Sequence, residues 1–105
     1  ECLRCITACE RCADTKSYGP DHGKYHKCVT LSRACADICL LLHGYLGHSH
    51  ISEMAHMAVD LAPVCARACE ACALTCGQHP DMEVCVKCAN ACRSCAEQCR
   101  RSVKA

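Results

Sequence analysis

Phenylalanine and tryptophan are absent from this 105-residue chain, and tyrosine and proline occur three times each, so the side chains that usually fill a small core are missing. Burial alone leaves a domain of this length marginally stable, and cross-links or metal ions are commonly recruited to it. Charge of one sign is lacking too: twelve Lys and Arg stand against eleven Asp and Glu, a formal charge of +1. That balance removes the basic footprint of a nucleic-acid binder, and no nucleic-acid partner is expected. Long hydrophobic runs are also wanting. The longest strongly apolar stretch, around Ile38 to Leu42, falls far short of the roughly 20 residues a membrane span needs, so a soluble protein with no membrane partner is expected. The chain does not begin with Met, which leaves an exported form with its signal peptide removed open beside a cytoplasmic one.

What the chain has is cysteine, sixteen residues of it. Cysteine above roughly 8–10 % ordinarily marks a secreted disulfide scaffold. The spacing argues otherwise. Cys2, Cys5, Cys9 and Cys12 form one series, followed by Cys28, Cys35 and Cys39, then Cys65, Cys69, Cys72 and Cys76, then Cys85, Cys88, Cys92, Cys95 and Cys99. Steps of three, four and seven place each series on one stripe of an α-helix. Cβ atoms one helical turn apart are about 5–6 Å from each other, whereas a disulfide needs roughly 3.5–4.5 Å. Bridges within a helix would therefore be strained.

The first stripe ends in Ser17-Tyr18-Gly19-Pro20-Asp21, where Gly and Pro halt a helix and Asp21 can cap the next. Helix one is predicted from Cys2 to Lys16, and helix two from His22 to Leu46 with a break near Gly47. Ser49 is the expected cap of helix three, which reaches Thr75 or Cys76 but contains Pro63, so a kink or a split is expected there. Gly77 and Pro80 close it, Asp81 caps helix four, and Arg100, Arg101 and Lys104 complement that helix's dipole. The prediction is an all-α, up-down-up-down four-helix bundle, a single Cys-rich metal-binding domain over residues 1–105.

Each Cys stripe then faces the bundle axis, and charge occupies the opposite faces at Arg4, Arg11, Arg33, Asp37, Arg67, Glu70, Lys87 and Glu97. One or two buried cysteines act as small hydrophobes. Sixteen in place of Leu and Ile leave space that native packing density does not tolerate. Something else must fill it. Soft thiolates select Cu(I), Zn or iron–sulfur clusters. Four Zn(Cys)4 sites would set +8 against sixteen negative charges and leave −8 buried. Cu(I) carries +1, so near one ion per thiolate the interior approaches neutrality, and pairs such as Cys88/Cys92 and Cys95/Cys99 can each supply the two sulfurs of a linear site. The Cys-x2-Cys-x2-Cys-x3-Cys-Pro run of bacterial ferredoxins is absent.

Three runs, Arg33-Ala34-Cys35-Ala36-Asp37-Ile38-Cys39, Cys69-Glu70-Ala71-Cys72-Ala73-Leu74-Thr75-Cys76-Gly77-Gln78-His79 and the segment from Cys85 to Arg100, resemble the cysteine-rich four-helix-bundle copper storage proteins. The resemblance covers essentially the whole chain. It implies a bundle that binds many Cu(I) ions along its axis through thiolate pairs, for storage, buffering and detoxification. It also implies a homo-oligomer, often a tetramer, in cytosolic or exported form. Between Leu42 and Pro63 the sequence departs from that pattern, because cysteine is absent there.

His22, His79 and Met82 fall in or beside two links at one end, near Cys12, Cys28, Cys76 and Cys85, and are candidate outer metal ligands at a mouth. Leu42, Leu46, Ile51, Met54 and Leu61 read as an apolar plug at the other end, with Met54 and Met57 as core filler. His43 follows Cys39 by one turn and either extends the ladder or is a satisfied histidine; His48, His50 and His56 have the types for a surface metal site, which is not the favoured reading. Leu41, Tyr45, Val64 and Leu74 sit off the stripes, where subunits can pack. No enzyme is expected, because an axis of equivalent thiols offers no distinguished nucleophile, and neither a phosphate loop nor paired carboxylates stand out. Two alternatives to Cu(I) storage remain: a copper metallochaperone or sensor, for which the number of thiols is excessive, and a zinc or iron–sulfur protein.

Overall fold

The computed structural model describes residues 2–17 and 23–104 and contains four helices: α1 (Cys2–Ser17), α2 (His26–Gly47), α3 (Ser52–Cys76) and α4 (Glu83–Lys104). Each packs against its neighbours in sequence, and α1 packs against α4, which closes a square. The backbones on the two diagonals never come close. This is the up-down-up-down bundle that the stripes predict, drawn out to 47 × 21 × 17 Å. Six cysteines are followed directly by a buried alanine: Cys12-Ala13, Cys35-Ala36, Cys65-Ala66, Cys72-Ala73, Cys88-Ala89 and Cys95-Ala96. One residue is about 100° around a helix. The cysteine thus faces the axis while the alanine lies at the seam with the adjacent helix.

The helix ends depart from the sequence reading in several places. Asp21 and His22 lie outside the described residues, and α2 begins at His26 after Tyr25, which makes no side-chain cap. Ser49 does not cap α3. Residues 48–50 instead form a turn, and Ile51, with extended φ and ψ of −93° and 121°, precedes the first helical residue. At α4 the carbonyl of Met82 accepts from the N–H groups of Cys85 and Val86 at 3.1 Å, so Met82 takes the capping position expected of Asp81. Nor is α3 split at Pro63, since the helix runs unbroken through it. Proline cannot donate to the carbonyl of Val59, but Val59 is 56 % exposed, on the side where water can take the donor's place.

The charged residues assigned to the outer faces, from Arg4 to Glu97, lie outside. Arg33 of α2 holds Glu10 and Asp14 of α1, each at 3.1 Å, and Arg100 of α4 holds Glu70 of α3. Such exposed pairs fix the register of adjacent helices more than they add stability. Among the described residues α2 has the length and mean hydropathy, 1.2, of a membrane-crossing helix, contrary to the short apolar run seen in the sequence. Cysteine raises that value. Cys28, Cys35 and Cys39 of α2 are buried within the bundle, while Arg33 and Asp37 line its outer side.

Leu42 is the largest aliphatic side chain in the core, 2 % exposed among cysteines and alanines. Leu42→Ala should therefore lower the unfolding free energy of the reduced, metal-free protein by about 3 kcal/mol, as read from urea denaturation. Leu40→Ala, at a site 59 % exposed, should change it by less than about 0.5 kcal/mol.

Candidate metal centre

All sixteen cysteines are free thiols, fifteen of them buried and Cys2 half-buried. Their sulfurs form one column. Cys28 and Cys76 approach to 3.2 Å, and Cys9–Cys92, Cys35–Cys69 and Cys39–Cys65 to 3.5 Å. Sulfur bridges the diagonals: Cys5–Cys69 at 3.9 Å and Cys9–Cys72 at 4.0 Å join α1 to α3, and Cys35–Cys92 at 3.9 Å and Cys39–Cys95 at 3.8 Å join α2 to α4. A disulfide would hold its sulfurs about 2.05 Å apart. These are contacts between thiols, set by the i, i+3 and i+4 spacing of each stripe.

Five groups have their sulfur atoms mutually within 4.8 Å: Cys5/Cys39/Cys69/Cys95, Cys5/Cys9/Cys35/Cys92, Cys9/Cys72/Cys88/Cys92, Cys12/Cys76/Cys88 and Cys65/Cys95/Cys99. With a metal–sulfur bond near 2.3 Å, as in zinc thiolates, tetrahedral ligands sit about 3.8 Å apart and trans ligands about 4.6 Å apart. The column fits either with small rotamer changes. The groups are not separate, because Cys5, Cys9, Cys88, Cys92 and Cys95 each belong to two of them. Such sharing suits ions joined by bridging thiolates better than isolated four-thiolate sites.

At the end where α1 and α3 finish, a lysine enters the column. Lys16, 2 % exposed, donates from Nζ to the Cys28 Sγ at 2.7 Å and lies over the Tyr25 ring at 5.2 Å from its centroid. Hydrogen bonds from Cys12 and Cys76, reinforced by that ammonium, hold the Cys28 thiol far below its ordinary pKa. Burial opposes the charge on Lys16, but hydrogen bonds to Cys28 and Cys85 outweigh it and keep the amine protonated beyond the usual lysine range. Deeper in, bonding to Cys35 and Cys5 together with burial raises the Cys92 thiol. Ser32, fully buried, occupies a vacant step of the α2 stripe and reaches Cys72 at 3.5 Å and Cys76 at 3.9 Å. Both residues escaped the sequence reading, although Lys16 lies four after Cys12 and Ser32 lies between Cys28 and Cys35 at steps of four and three.

His79 is half-buried with its ring edge-on to Tyr25, the centroids 4.9 Å apart, and it belongs to none of the five thiol groups. Met82 is half-buried against the core, and His22 lies outside the described residues. The opposite end is less closed than the sequence suggested. Leu42 is buried and Leu61 half-buried there, but Leu46 and Ile51 are exposed, as is Met57, which is not core filler. A cavity of about 450 Å³ opens beside Cys2, Cys95 and Cys99, with the exposed His43 on its rim. The plug is incomplete because Ala55, Ala58 and Ala62, rather than larger side chains, line α3 at that level.

Residues 1–104 match the family model described as copper storage protein, and the chain belongs to that family. It is similar to a cytosolic copper storage protein from Streptomyces lividans solved with five coppers, at a TM-score of 0.92 and 35 % identity over 99 % of this chain and 87 % of that one. A second structure, of the copper storage protein from Streptomyces lividans loaded with 10 copper equivalents, gives a TM-score of 0.91 and 36 % identity over 98 % and 78 % of the two chains. Apo copper storage protein 3 from Bacillus subtilis gives 0.85 and 35 % over 97 % and 91 %.

Because the thiols are held at contact rather than bonding distance, the folded metal-free protein should keep them reduced. Denaturation without reductant followed by thiol counting should recover nearly all sixteen; several native disulfides would restore the secreted-scaffold reading.

Proposed function

We propose that this chain stores Cu(I), holding many ions at once between the thiolates of Cys2, Cys5, Cys9, Cys12, Cys28, Cys35, Cys39, Cys65, Cys69, Cys72, Cys76, Cys85, Cys88, Cys92, Cys95 and Cys99. The observation that carries this is the continuity of the sulfur column, in which neighbouring groups share ligands from end to end. A chaperone or sensor needs one or two accessible pairs, and fifteen of these thiols are buried. Zinc would bring two charges to each four-thiolate site and leave the shared sulfurs undercompensated in a low-dielectric interior. Copper-loaded relatives from Streptomyces lividans support the choice of metal, and the description of one as cytosolic supports a cytoplasmic location.

His79 and Met82 flank the layer of Cys12, Cys28, Cys76 and Cys85 and serve as weaker outer ligands, with His22 assigned to the same role from the sequence. The role is storage rather than catalysis, since no thiol is set apart by a base and by access to substrate. Assembly into a homo-oligomer, as large as a tetramer, would cover Leu41, Val64 and Leu74, all exposed, together with the half-buried Tyr45. The single-domain reading of residues 1–105 accords with one sulfur column running through all four helices.

Anaerobic titration of the reduced protein with Cu(I) against a competing chelator should end on the order of one copper per cysteine. Saturation at one or two ions would instead make it a chaperone, and about four zinc ions with poor copper uptake would make it a zinc protein. Replacing Cys88 and Cys92 together by Ala should remove roughly two ions from the capacity, because their sulfurs belong to the central shared groups.

A further inference from the structure

A basic residue in the last turn of a helix usually reaches into water, where it complements the dipole. Lys16 in the last turn of α1 does the opposite and is 2 % exposed. Burying an ammonium is very costly unless it is paired. Its partner is a sulfur, Cys28 Sγ, at 2.7 Å, and that sulfur is itself 3.2 Å from Cys76. Cys28, like Cys2 and Cys85, is in none of the five larger sulfur groups, and its close partners are the Cys76 sulfur and this ammonium. The half-buried Tyr25 sets its ring against this ammonium, and His79 packs edge-on against Tyr25.

We propose that Lys16 is a built-in stand-in for Cu(I): in the metal-free protein its ammonium holds Cys28 and closes this end of the column, and copper loading expels it to solvent. The inference rests on the copper storage reading. When Cu(I) bonds to the Cys28 and Cys76 sulfurs, any thiol proton they carry passes to solvent, and the ion takes over the positive charge that Lys16 supplied. The ammonium would then face a cation and lose its acceptor, and it leaves with its own proton. The geometry permits this, because Lys16 lies in the last turn of α1 and a lysine carries its charge on a flexible four-carbon stem that can place the head in water. Lys16 is thus a gating and positioning residue rather than a ligand.

The test is amine acetylation under anaerobic conditions, mapped by peptide mass spectrometry, on the metal-free and the Cu(I)-loaded wild-type protein, with hydroxylamine to reverse thioester formation. Lys24, Lys27 and Lys87 are exposed and serve as internal references. In the metal-free protein Lys16 should react roughly ten-fold or more slowly than these three, and on loading it should rise to within about two-fold of them. Continued protection of Lys16 in protein shown by titration to be loaded would overturn the proposal and leave storage intact. Failure to take up copper would overturn both, and the same titration identifies that case. As a second arm, Lys16→Leu keeps the apolar bulk and removes the charge that copper must displace. It should speed the slowest phase of stopped-flow loading by roughly three-fold or more, and an unchanged rate in a variant with wild-type helical content would count against a gate.

Discussion

The interior of this bundle is sulfur, and every other feature follows from having to keep sixteen thiols within contact of one another. On the diagonals of an ordinary four-helix bundle, Leu and Ile interdigitate and separate the backbones with carbon. Here α1 meets α3, and α2 meets α4, through sulfur pairs such as Cys5–Cys69 and Cys39–Cys95. A thiol is a small and polarisable hydrophobe, so the metal-free protein can collapse around this column. In the proposed storage role the same atoms become ligands once they lose protons. Core and binding site are therefore one set of residues. An ion bound by the native column stabilises the fold by mass action, less whatever affinity the unfolded thiols retain for it.

Charge sets the second constraint. Ionised thiolates cannot be left unpaired in such a place, and in the metal-free protein the described core supplies one buried ammonium, that of Lys16. The thiol it contacts is the one whose ionisation its charge directly supports. Elsewhere thiols meet one another, as donors and acceptors along the ladder. That difference makes the Lys16 end chemically unlike the Cys2 end, where a cavity rather than a cation lies next to the sulfurs.

How much of this was legible depended on whether a residue's period or its partners decided its place. The four helices and the inward direction of every Cys stripe could be read because steps of three and four repeat over whole helices. The ends could not: Ser49, a good cap by type, sits in a turn, and Met82, a poor one, holds the N-terminus of α4. Pro63 was read as the place of a kink or a split, and α3 is not split there, the cost of the lost hydrogen bond being limited by the exposure of Val59. Lys16 and Ser32 were missed for a different reason. Both lie on Cys stripes at helical spacing, but their types suggest surface, and only the sulfur atoms around them explain why they are inside.

The alanines matter to the chemistry as much as the cysteines do. Helix axes pack 8–10 Å apart depending on the side chains at the contact, with small residues allowing the closest approach (roughly that range). Ala13, Ala36, Ala66, Ala73, Ala89 and Ala96 occupy the seams, one residue past a cysteine in each case. Larger side chains there would push adjacent helices outward, and both diagonals would widen with them. Diagonal sulfurs now at 3.8–4.0 Å would pass beyond the about 4.6 Å that two trans thiolates span across one ion. Alanine buries less apolar area than a larger side chain would, so the seam favours close approach of the sulfurs over the size of each residue's own burial. The close sulfur column and the small helix seams are thus consequences of the same Cys-Ala dipeptide.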